Sequence, residues 1–103
     1  MTAKALDGIR VVDLSRALAG PWAAMTLGDM GADVIKIEEP GGGDATRGFP
    51  PFWNGESTYY MSANRNKRSM TLNLDSIEGQ EIVRRLVVDA DILIESFRTG
   101  AME

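Results

Sequence analysis

The chain alternates short β-branched runs with segments of helical composition, and this alternation limits the folds open to it. Residues 9–14 (IRVVDL) and 33–38 (DVIKIE) have the length and composition of strands in a sheet. Between them, Pro21 stands where proline suits a first helical turn, and Gly31 is placed to end the helix in a left-handed conformation. Strand, helix and strand within about thirty residues predict a right-handed βαβ unit.

The same order recurs in the second half of the chain. Residues 69–74 (SMTLNL) alternate polar and apolar side chains and predict a third strand, and residues 91–95 (DILIE) predict a fourth. Between them, Asp75 and Glu78 have capping-box spacing, with Asp75 in the cap position of a helix. The apolar side chains predicted to share one buried face of this helix are Ile82, Val83, Leu86, Val87 and Ala90.

Together these elements predict an α/β fold with an open, mostly parallel sheet and flanking helices. Residues 39–68 interrupt the pattern as a long irregular connection, and connections of this length are functional, disordered or packed on other parts of a molecule. The aromatic side chains of this connection favour packing. Because the sequence stops directly after the fourth strand, we expect residues 1–103 to be an incomplete domain whose sheet is covered in part by residues from elsewhere.

Composition excludes several kinds of chemistry. The chain has no cysteine and no histidine, which removes thiolate nucleophiles, imidazole bases and metal sites built from these ligands. Its net charge of −4 disfavours a nucleic-acid partner, because duplex binding needs a basic surface. No apolar run has the length of a signal peptide core or of a membrane span. We therefore expect a cytoplasmic protein without a membrane or metal partner.

The predicted ligand site lies outside the carboxyl ends of the strands, where open parallel sheets bind ligands. Residues 15–19 follow the first strand and lead into a helix amino terminus, which attracts anions. Arg16 and Arg98, after the first and fourth strands, add charge-assisted donors. The pattern fits a phosphate or pyrophosphate site. From the sequence alone, however, two arginines on surface loops are more often solvated, or paired with Glu38 or Glu95, than they are ligands.

Other candidate phosphate motifs are less specific. Residues 19–24 (AGPWAA) offer one glycine where the dinucleotide-binding fingerprint needs three, which disfavours a nicotinamide or flavin enzyme. Residues 41–44 (GGGD) follow a proline rather than a strand and read more simply as a flexible turn. The basic cluster of Arg65, Lys67 and Arg68 fits either a phosphate-facing patch or a solvated strand entrance.

Several stretches together resemble the family III CoA-transferases, which include formyl-CoA transferase, the carnitine-pathway CoA-transferases and 2-methylacyl-CoA racemase. The matching stretches are 6–16 (LDGIRVVDLSR), 19–21 (AGP), 27–38 (LGDMGADVIKIE), 42–44 (GGD), 46–48 (TRG), 64–69 (NRNKRS) and 90–98 (ADILIESFR). They cover nearly the whole chain in the family's order. The resemblance implies a Rossmann-like, CoA-binding large domain, of which residues 1–103 form the amino-terminal part, in an interlocked homodimer.

The resemblance also implies a set of CoA contacts and a class of substrates. The implied CoA-binding residues are Arg16, Ala17, Leu18, Ala19, Leu72, Asn73, Leu74, Asp75, Ser96, Phe97 and Arg98. Glu39, Asp75 and Ser96 depart from the arginine, lysine and asparagine of the formyl-CoA branch, which disfavours formyl-CoA as donor. Residues 56–60 and 64–68 look closer to members that use succinyl-CoA and dicarboxylic acids.

The resemblance places the family's catalytic aspartate beyond Glu103, because none of the aspartates in this chain matches it. In the family, that aspartate forms a covalent aspartyl-CoA intermediate during CoA transfer from an acyl-CoA to a carboxylic acid. We therefore expect the 103-residue chain to bind CoA but to have no catalytic activity by itself. Two alternatives remain open: the family's racemase activity, and a non-catalytic CoA- or nucleotide-binding module.

Overall fold

The structure is a computed structural model that describes residues 3–102. Its elements, in chain order, are β1 (Arg10–Asp13), α1 (Ala19–Asp29), β2 (Asp33–Glu38), β3 (Phe52–Trp53), β4 (Glu56–Ser57), α2 (Thr58–Ser62), β5 (Lys67–Thr71), α3 (Ile77–Val88) and β6 (Ile92–Ile94). A 3-10 turn over Ala45–Gly48 lies between β2 and β3. No helix within residues 3–102 is both long enough and apolar enough to cross a membrane.

Four strands form one parallel sheet in the order β5-β2-β1-β6. β1 pairs with β2 from Arg10↔Asp33 onward, and its other edge pairs with β6 from Val11↔Ile92 onward. β5 adds to the outer edge of β2, beginning at Val34↔Lys67. The predicted α/β class and parallel sheet with flanking helices are confirmed.

One long helix packs on each face of the sheet, because side chains along a strand alternate between faces. On the α1 face, Val11 and Val34 join Ala24 of α1 in one core cluster. On the α3 face, Val12 and Ile37 join Val83 of α3 in another. The residues of the predicted apolar helix face that pack against this second cluster are Ile82, Leu86, Val87 and Ala90. That prediction is confirmed.

Both ends of α1 agree with the sequence pattern. The helix begins at Ala19, and Pro21 occupies the third position of the first turn, where a backbone N–H has no helical partner. At the other end, Gly31 has φ +108°, a conformation that side chains disfavour. A Cβ there would also lie 2.6 Å from the Cβ of Lys4. The predicted role of Gly31 is confirmed.

The segment between β5 and α3 differs from its prediction. β5 begins at Lys67 and ends at Thr71. Leu72 N still donates to the carbonyl of Glu38 at 3.0 Å, and residues 73–74 do not continue the strand. The predicted cap at Asp75 is wrong: Ser76 is the N-cap, and its Oγ accepts a hydrogen bond from Gly79 N at 2.9 Å. The reason is a turn at Asn73, whose Oδ1 accepts from Asp75 N at 3.0 Å and whose carbonyl accepts from Ser76 Oγ at 2.9 Å. This turn delays the helix by one residue.

The long connection between β2 and β5 packs against the protein, as its aromatic content predicted, and it is less irregular than expected. It contains the 3-10 turn, the β3–β4 hairpin and α2. Thr46 and Ala63 are fully buried, and the rings of Phe49 and Tyr59 meet edge to face at 5.3 Å. The tip of the hairpin is an exception, since Trp53 remains 67% exposed.

Candidate functional site

An open cleft of about 460 Å³ lies at the carboxyl edge of the sheet, on the α3 face. The segments that follow β1, β2, β5 and β6 all contribute to its wall, where ligands of open α/β sheets bind. Apolar side chains form part of the wall and charged side chains the rest. The lining residues are Leu14, Arg16, Glu39, Leu74, Asp75, Gln80, Val83, Arg84, Phe97, Ala101 and Met102.

Arg16 contacts two other residues in the wall of the cleft, Glu39 and Phe97. Its guanidinium forms an ion pair with Glu39 and lies over the ring of Phe97, with Cζ 5.3 Å from the ring centroid. The side chains of Arg16 and Glu39 are 47% and 51% exposed, and exposed ion pairs stabilise a protein by only about 0–1 kcal/mol. The guanidinium is therefore held in place but can exchange Glu39 for another anion.

The loop that carries Arg16 is fixed from two sides. Arg16 N donates to Ser96 Oγ at 3.1 Å, which ties the loop after β1 to the segment after β6. From the α1 face, Lys36 Nζ donates to the carbonyl of Ser15 at 3.3 Å. Gly20 completes the turn, because a Cβ at this position would lie 2.3 Å from the Cβ of Ser15. Neighbouring strands and α1 together determine where Arg16 stands.

The amino terminus of α1 lies next to this loop. Ala17 has φ +69°, and Leu18 precedes the helix without a side-chain cap. No acidic residue occupies the first turn. The positive end of the helix is thus not neutralised by its own side chains, as an anion-binding helix end requires.

The structure brings some of the residues predicted from the sequence into one cleft and leaves others outside its lining. Those that line the cleft are Arg16, Leu74, Asp75 and Phe97. Ser96 does not line the cleft, but its Oγ accepts a hydrogen bond from Arg16 N. Leu72 lies in the core on the α3 face and is 8% exposed. The remaining predicted residues, which do not line the cleft, are Ala17, Leu18, Ala19, Asn73 and Arg98.

Sequence reasoning placed Glu39 at this edge of the sheet but missed two polar lining residues, Gln80 and Arg84. Gln80 and Arg84 are one turn apart on α3, and a spacing of four residues on a predicted helix was a signal available in the sequence. Glu39 was visible as the residue after the second strand. The pairing of Glu39 with Arg16 was not visible, because the two residues are 23 positions apart in sequence and follow different strands.

The charges in the cleft wall cancel. Arg16 and Arg84 contribute two positive charges, and Glu39 and Asp75 contribute two negative ones. Arg84 also approaches Glu81 on the same helix at 3.7 Å, with both side chains more than half exposed. A strongly anionic ligand would therefore meet a balanced surface rather than a positive one.

A network of charged side chains, buried except for Arg47, lies on the opposite face, beneath the long connection. Its charged members, three of each sign, are Asp13, Lys36, Glu38, Asp44, Arg47 and Lys67. Lys67 Nζ lies 2.9 Å from Asp13 Oδ2, with side chains 2% and 0% exposed. Because each buried charge has an opposite partner, the network is suited to hold the connection on the sheet.

Glu38 has the largest set of partners in this network. Arg47 donates to its two carboxylate oxygens at 2.7 and 2.8 Å, and Ser69 and Tyr60 donate through their hydroxyls. Burial raises the pKa of Glu38, but the hydrogen bonds from Arg47 and Ser69 outweigh it and lower the pKa to about 2. Burial and the Glu38 charge raise the pKa of Tyr60 to about 12. Glu38 is therefore a permanently charged anchor near neutral pH.

The two buried lysines differ in their surroundings. Burial lowers the pKa of Lys67, and the hydrogen bond to Asp13 opposes that shift. Lys36 lies 2.9 Å from Asp44 Oδ2, an oxygen that receives no well-aligned hydrogen bond from the described residues. Burial raises the pKa of Asp44, but the backbone N–H of Thr46 and the ammonium of Lys36 outweigh it and lower the pKa. Within residues 3–102, no group of three or more acidic side chains is arranged to hold a metal ion.

The fold and the cleft define an α/β protein with an open cleft at the carboxyl edge of a parallel sheet, the edge where such sheets bind ligands. The sequence profile described as CoA-transferase family III matches residues 6–103, and the chain belongs to this family. A crystal structure of a CAIB/BAIF family protein from Brucella suis superimposes with a TM-score of 0.91 at 47% identity, covering 98% of this chain and 28% of that one.

Curated relatives agree with this assignment. The chain is 50% identical over 100 residues to the succinyl-CoA:glutarate CoA-transferase of Mus musculus, covering 96% of this chain and 23% of that protein. It is 53% identical over 104 residues to the succinate–glutarate CoA-transferase of Agrobacterium fabrum, covering 94% of this chain and 26% of that protein. The chain thus spans about a quarter of the length of these relatives.

Proposed function

We propose that residues 1–103 are the amino-terminal, CoA-binding part of a longer family III CoA-transferase. The observation that carries this proposal is the cleft at the carboxyl edge, where Arg16 stands over Phe97 in a chain that matches the family from residue 6 onward. A guanidinium held by an aromatic ring is a donor for phosphate oxygens. The uncapped start of α1 supports an anion at the same edge.

Within this proposal, the charged and the apolar residues of the cleft contact different parts of CoA. Arg16 and Arg84 bind the phosphates of CoA, and the amide of Gln80, whose Nε2 donates to the carbonyl of Leu74, adds a neutral polar group to the same wall. Phe97 and Leu74 supply the apolar surface that an adenine ring or the pantetheine arm needs. Ser96 and Lys36 do not contact the ligand and instead position the loop of Arg16.

The proposed reaction uses a catalytic aspartate from beyond residue 103. Its carboxylate attacks the acyl-CoA carbonyl carbon, the C–S bond breaks, and CoA leaves as a thiolate to give a mixed anhydride. The thiolate attacks the aspartyl carbonyl, forming an aspartyl-CoA thioester and releasing the donor acid. The acceptor carboxylate then attacks that thioester, the C–S bond breaks, and a second mixed anhydride forms as the CoA thiolate leaves. The thiolate attacks the acceptor's carbonyl carbon in this anhydride, which gives the new acyl-CoA and frees the aspartate. The residues of the cleft hold CoA throughout, so the thiolate stays near the reacting carbon.

The proposed substrates are dicarboxylic acids and their CoA thioesters. The support is the names of the mouse and Agrobacterium relatives, which pair succinate with glutarate. We further propose that the complete protein works in the cytoplasm as an interlocked homodimer. The mass of the native protein tests the proposal that residues 1–103 belong to a longer enzyme, because a mature species of 103 residues would contradict it.

The binding proposal is tested by CoA titration of the complete protein in a calorimeter. Arg16→Ala and Arg84→Ala are the test variants, because both arginines line the cleft. Arg85→Ala is the matched control, since Arg85 is 78% exposed on α3 and does not line the cleft. We expect weaker binding for Arg16→Ala by about tenfold and an unchanged affinity for Arg85→Ala. Unchanged affinity in both test variants would refute the site.

The transfer activity needs a separate assay. The complete protein is incubated with succinyl-CoA and glutarate, and the CoA thioesters are separated by mass. Appearance of glutaryl-CoA supports CoA transfer. A racemase of the same family would move a proton in one acyl-CoA and form no new thioester, and a non-catalytic module would bind CoA without changing either substrate.

A further inference from the structure

Two adjacent glutamates at the end of β2 have opposite surroundings. Glu38 is on the α1 face with its side chain 4% exposed and its carboxylate held by Arg47. Glu39 is in the cleft with its side chain 51% exposed, and Arg16 is its only ion-pair partner among residues 3–102. Glu38 is therefore a fixed structural anion, whereas Glu39 can leave its partner at small cost.

The backbone after Glu39 leaves room for such a movement. Pro40 and the run of three glycines follow, with φ +88° at Gly41 and +71° at Gly43. A Cβ added at Gly41 or Gly42 would meet nothing within 4 Å, so the first part of this turn borders open space. The Glu39 side chain is itself 51% exposed, so it has solvent beside it.

The cleft as it stands is poorly matched to a polyphosphate. The negative charges of Glu39 and Asp75 cancel the positive charges of Arg16 and Arg84. CoA brings a pyrophosphate and a further phosphate, and like charges at contact distance repel by about 1 kcal/mol or more. If one carboxylate moves out of the wall, the site has a net positive charge. Glu39 is the carboxylate that pairs with Arg16, and the Arg16 guanidinium is the donor that a phosphate would use.

Building on the proposed CoA site, we propose that Glu39 is an affinity-determining residue that competes with a ligand phosphate for Arg16. In the structure, Glu39 pairs with the guanidinium, and the guanidinium lies over the ring of Phe97. On binding, a phosphate oxygen replaces the carboxylate on the same donor, and Arg16 stays stacked on the ring. One anion replaces another, so the arginine is positioned before the ligand arrives and CoA is bound less tightly than the donors alone would allow.

The test is CoA titration of the complete protein carrying Glu39→Gln. This variant keeps the size and polarity of the side chain and removes its charge. We expect CoA to bind about three- to tenfold more tightly than to the unmodified protein. Glu56→Gln is the matched control, because Glu56 is exposed on β4 and does not line the cleft, and its affinity for CoA should not change.

A double variant separates competition for Arg16 from a general charge effect. In the Arg16→Ala background, Glu39→Gln should give little or no gain, because the donor for which the carboxylate competes is gone. Equal or weaker CoA binding by Glu39→Gln alone, or a full gain that persists without Arg16, would overturn the role of Glu39 while leaving the CoA site intact. Failure of the unmodified protein to bind CoA at all would overturn the site and this role together.

Discussion

Lys36 Nζ lies 2.9 Å from Asp44 Oδ2 in the interior of the protein, and each of these two side chains is 1% exposed. The pair joins the second strand of the sheet to the long connection that follows it. The same ammonium donates to the carbonyl of Ser15, beside the arginine of the cleft. One buried lysine thus links the packing of the connection to the position of the candidate site.

Replacement of Lys36 by methionine should destabilise the protein strongly. The change removes the ammonium and leaves Asp44 buried beside an apolar side chain, and breaking a buried ion pair costs about 3–5 kcal/mol. The midpoint of urea unfolding of the complete protein should fall accordingly. Arg68→Met is the control, because the Arg68–Asp33 pair is 66% and 41% exposed and its loss should cost less than about 1 kcal/mol. Equal losses in the two variants would contradict a role for burial.

The stability of the protein should depend on the charge of Glu38 at acid pH. Its pKa falls from 4.5 to about 2 in the folded protein, so the stabilisation is complete above pH 4.5 and is lost as the pH falls toward 2. Glu38→Gln should remove up to about 1.4 kcal/mol per pH unit from the slope of unfolding free energy against pH in this window. Unfolding by urea at a series of pH values measures the slope. Identical slopes for variant and unmodified protein would show that Glu38 titrates normally.

The alternation of strands and helices was predictable because it depends on local pattern. The β-branched runs, the apolar spacing from Ile82 to Ala90 and the glycine after α1 each act over a few residues. The cap of α3 was predicted one residue too early for a related reason. Asp75 and Ser76 are both good caps, and the turn at Asn73, which local spacing does not reveal, selected Ser76.

The buried charges were not predictable from the same pattern. Residues 35–38 (IKIE) alternate apolar and polar side chains, which is typical of a strand with one solvated face, yet Lys36 and Glu38 are buried. Their burial depends on partners brought by the fold. Asp13 and Lys67 are 54 residues apart in sequence, and Lys36 and Asp44 meet only because the connection folds back over the sheet. The same long-range dependence hid the pairing of Arg16 with Glu39.

Gly79→Ala should destabilise the start of α3. A Cβ at Gly79 would lie 1.9 Å from the carbonyl oxygen of Asn73, which is backbone and cannot rotate away as a side chain would. The turn before the helix would have to move, at a cost of about 2–3 kcal/mol. Gly48→Ala is the control, because a Cβ there meets nothing within 4 Å. Thermal unfolding of both variants gives the comparison, and similar melting temperatures would refute the close approach at Asn73.

Ser96 should influence CoA binding without contacting CoA. Its Oγ accepts the hydrogen bond from Arg16 N at 3.1 Å, and loss of one such bond costs about 1 kcal/mol. Ser96→Ala should therefore weaken CoA binding about two- to fivefold, because Arg16 is held less firmly over Phe97. Ser96→Thr keeps the hydroxyl and should restore the affinity. Ser62→Ala, which removes a hydroxyl bonded to the carbonyl of Tyr59 on α2, should leave it unchanged. Calorimetric titration of the three variants measures these differences, and a Ser96→Ala protein with normal affinity would show that the loop holds Arg16 without this bond.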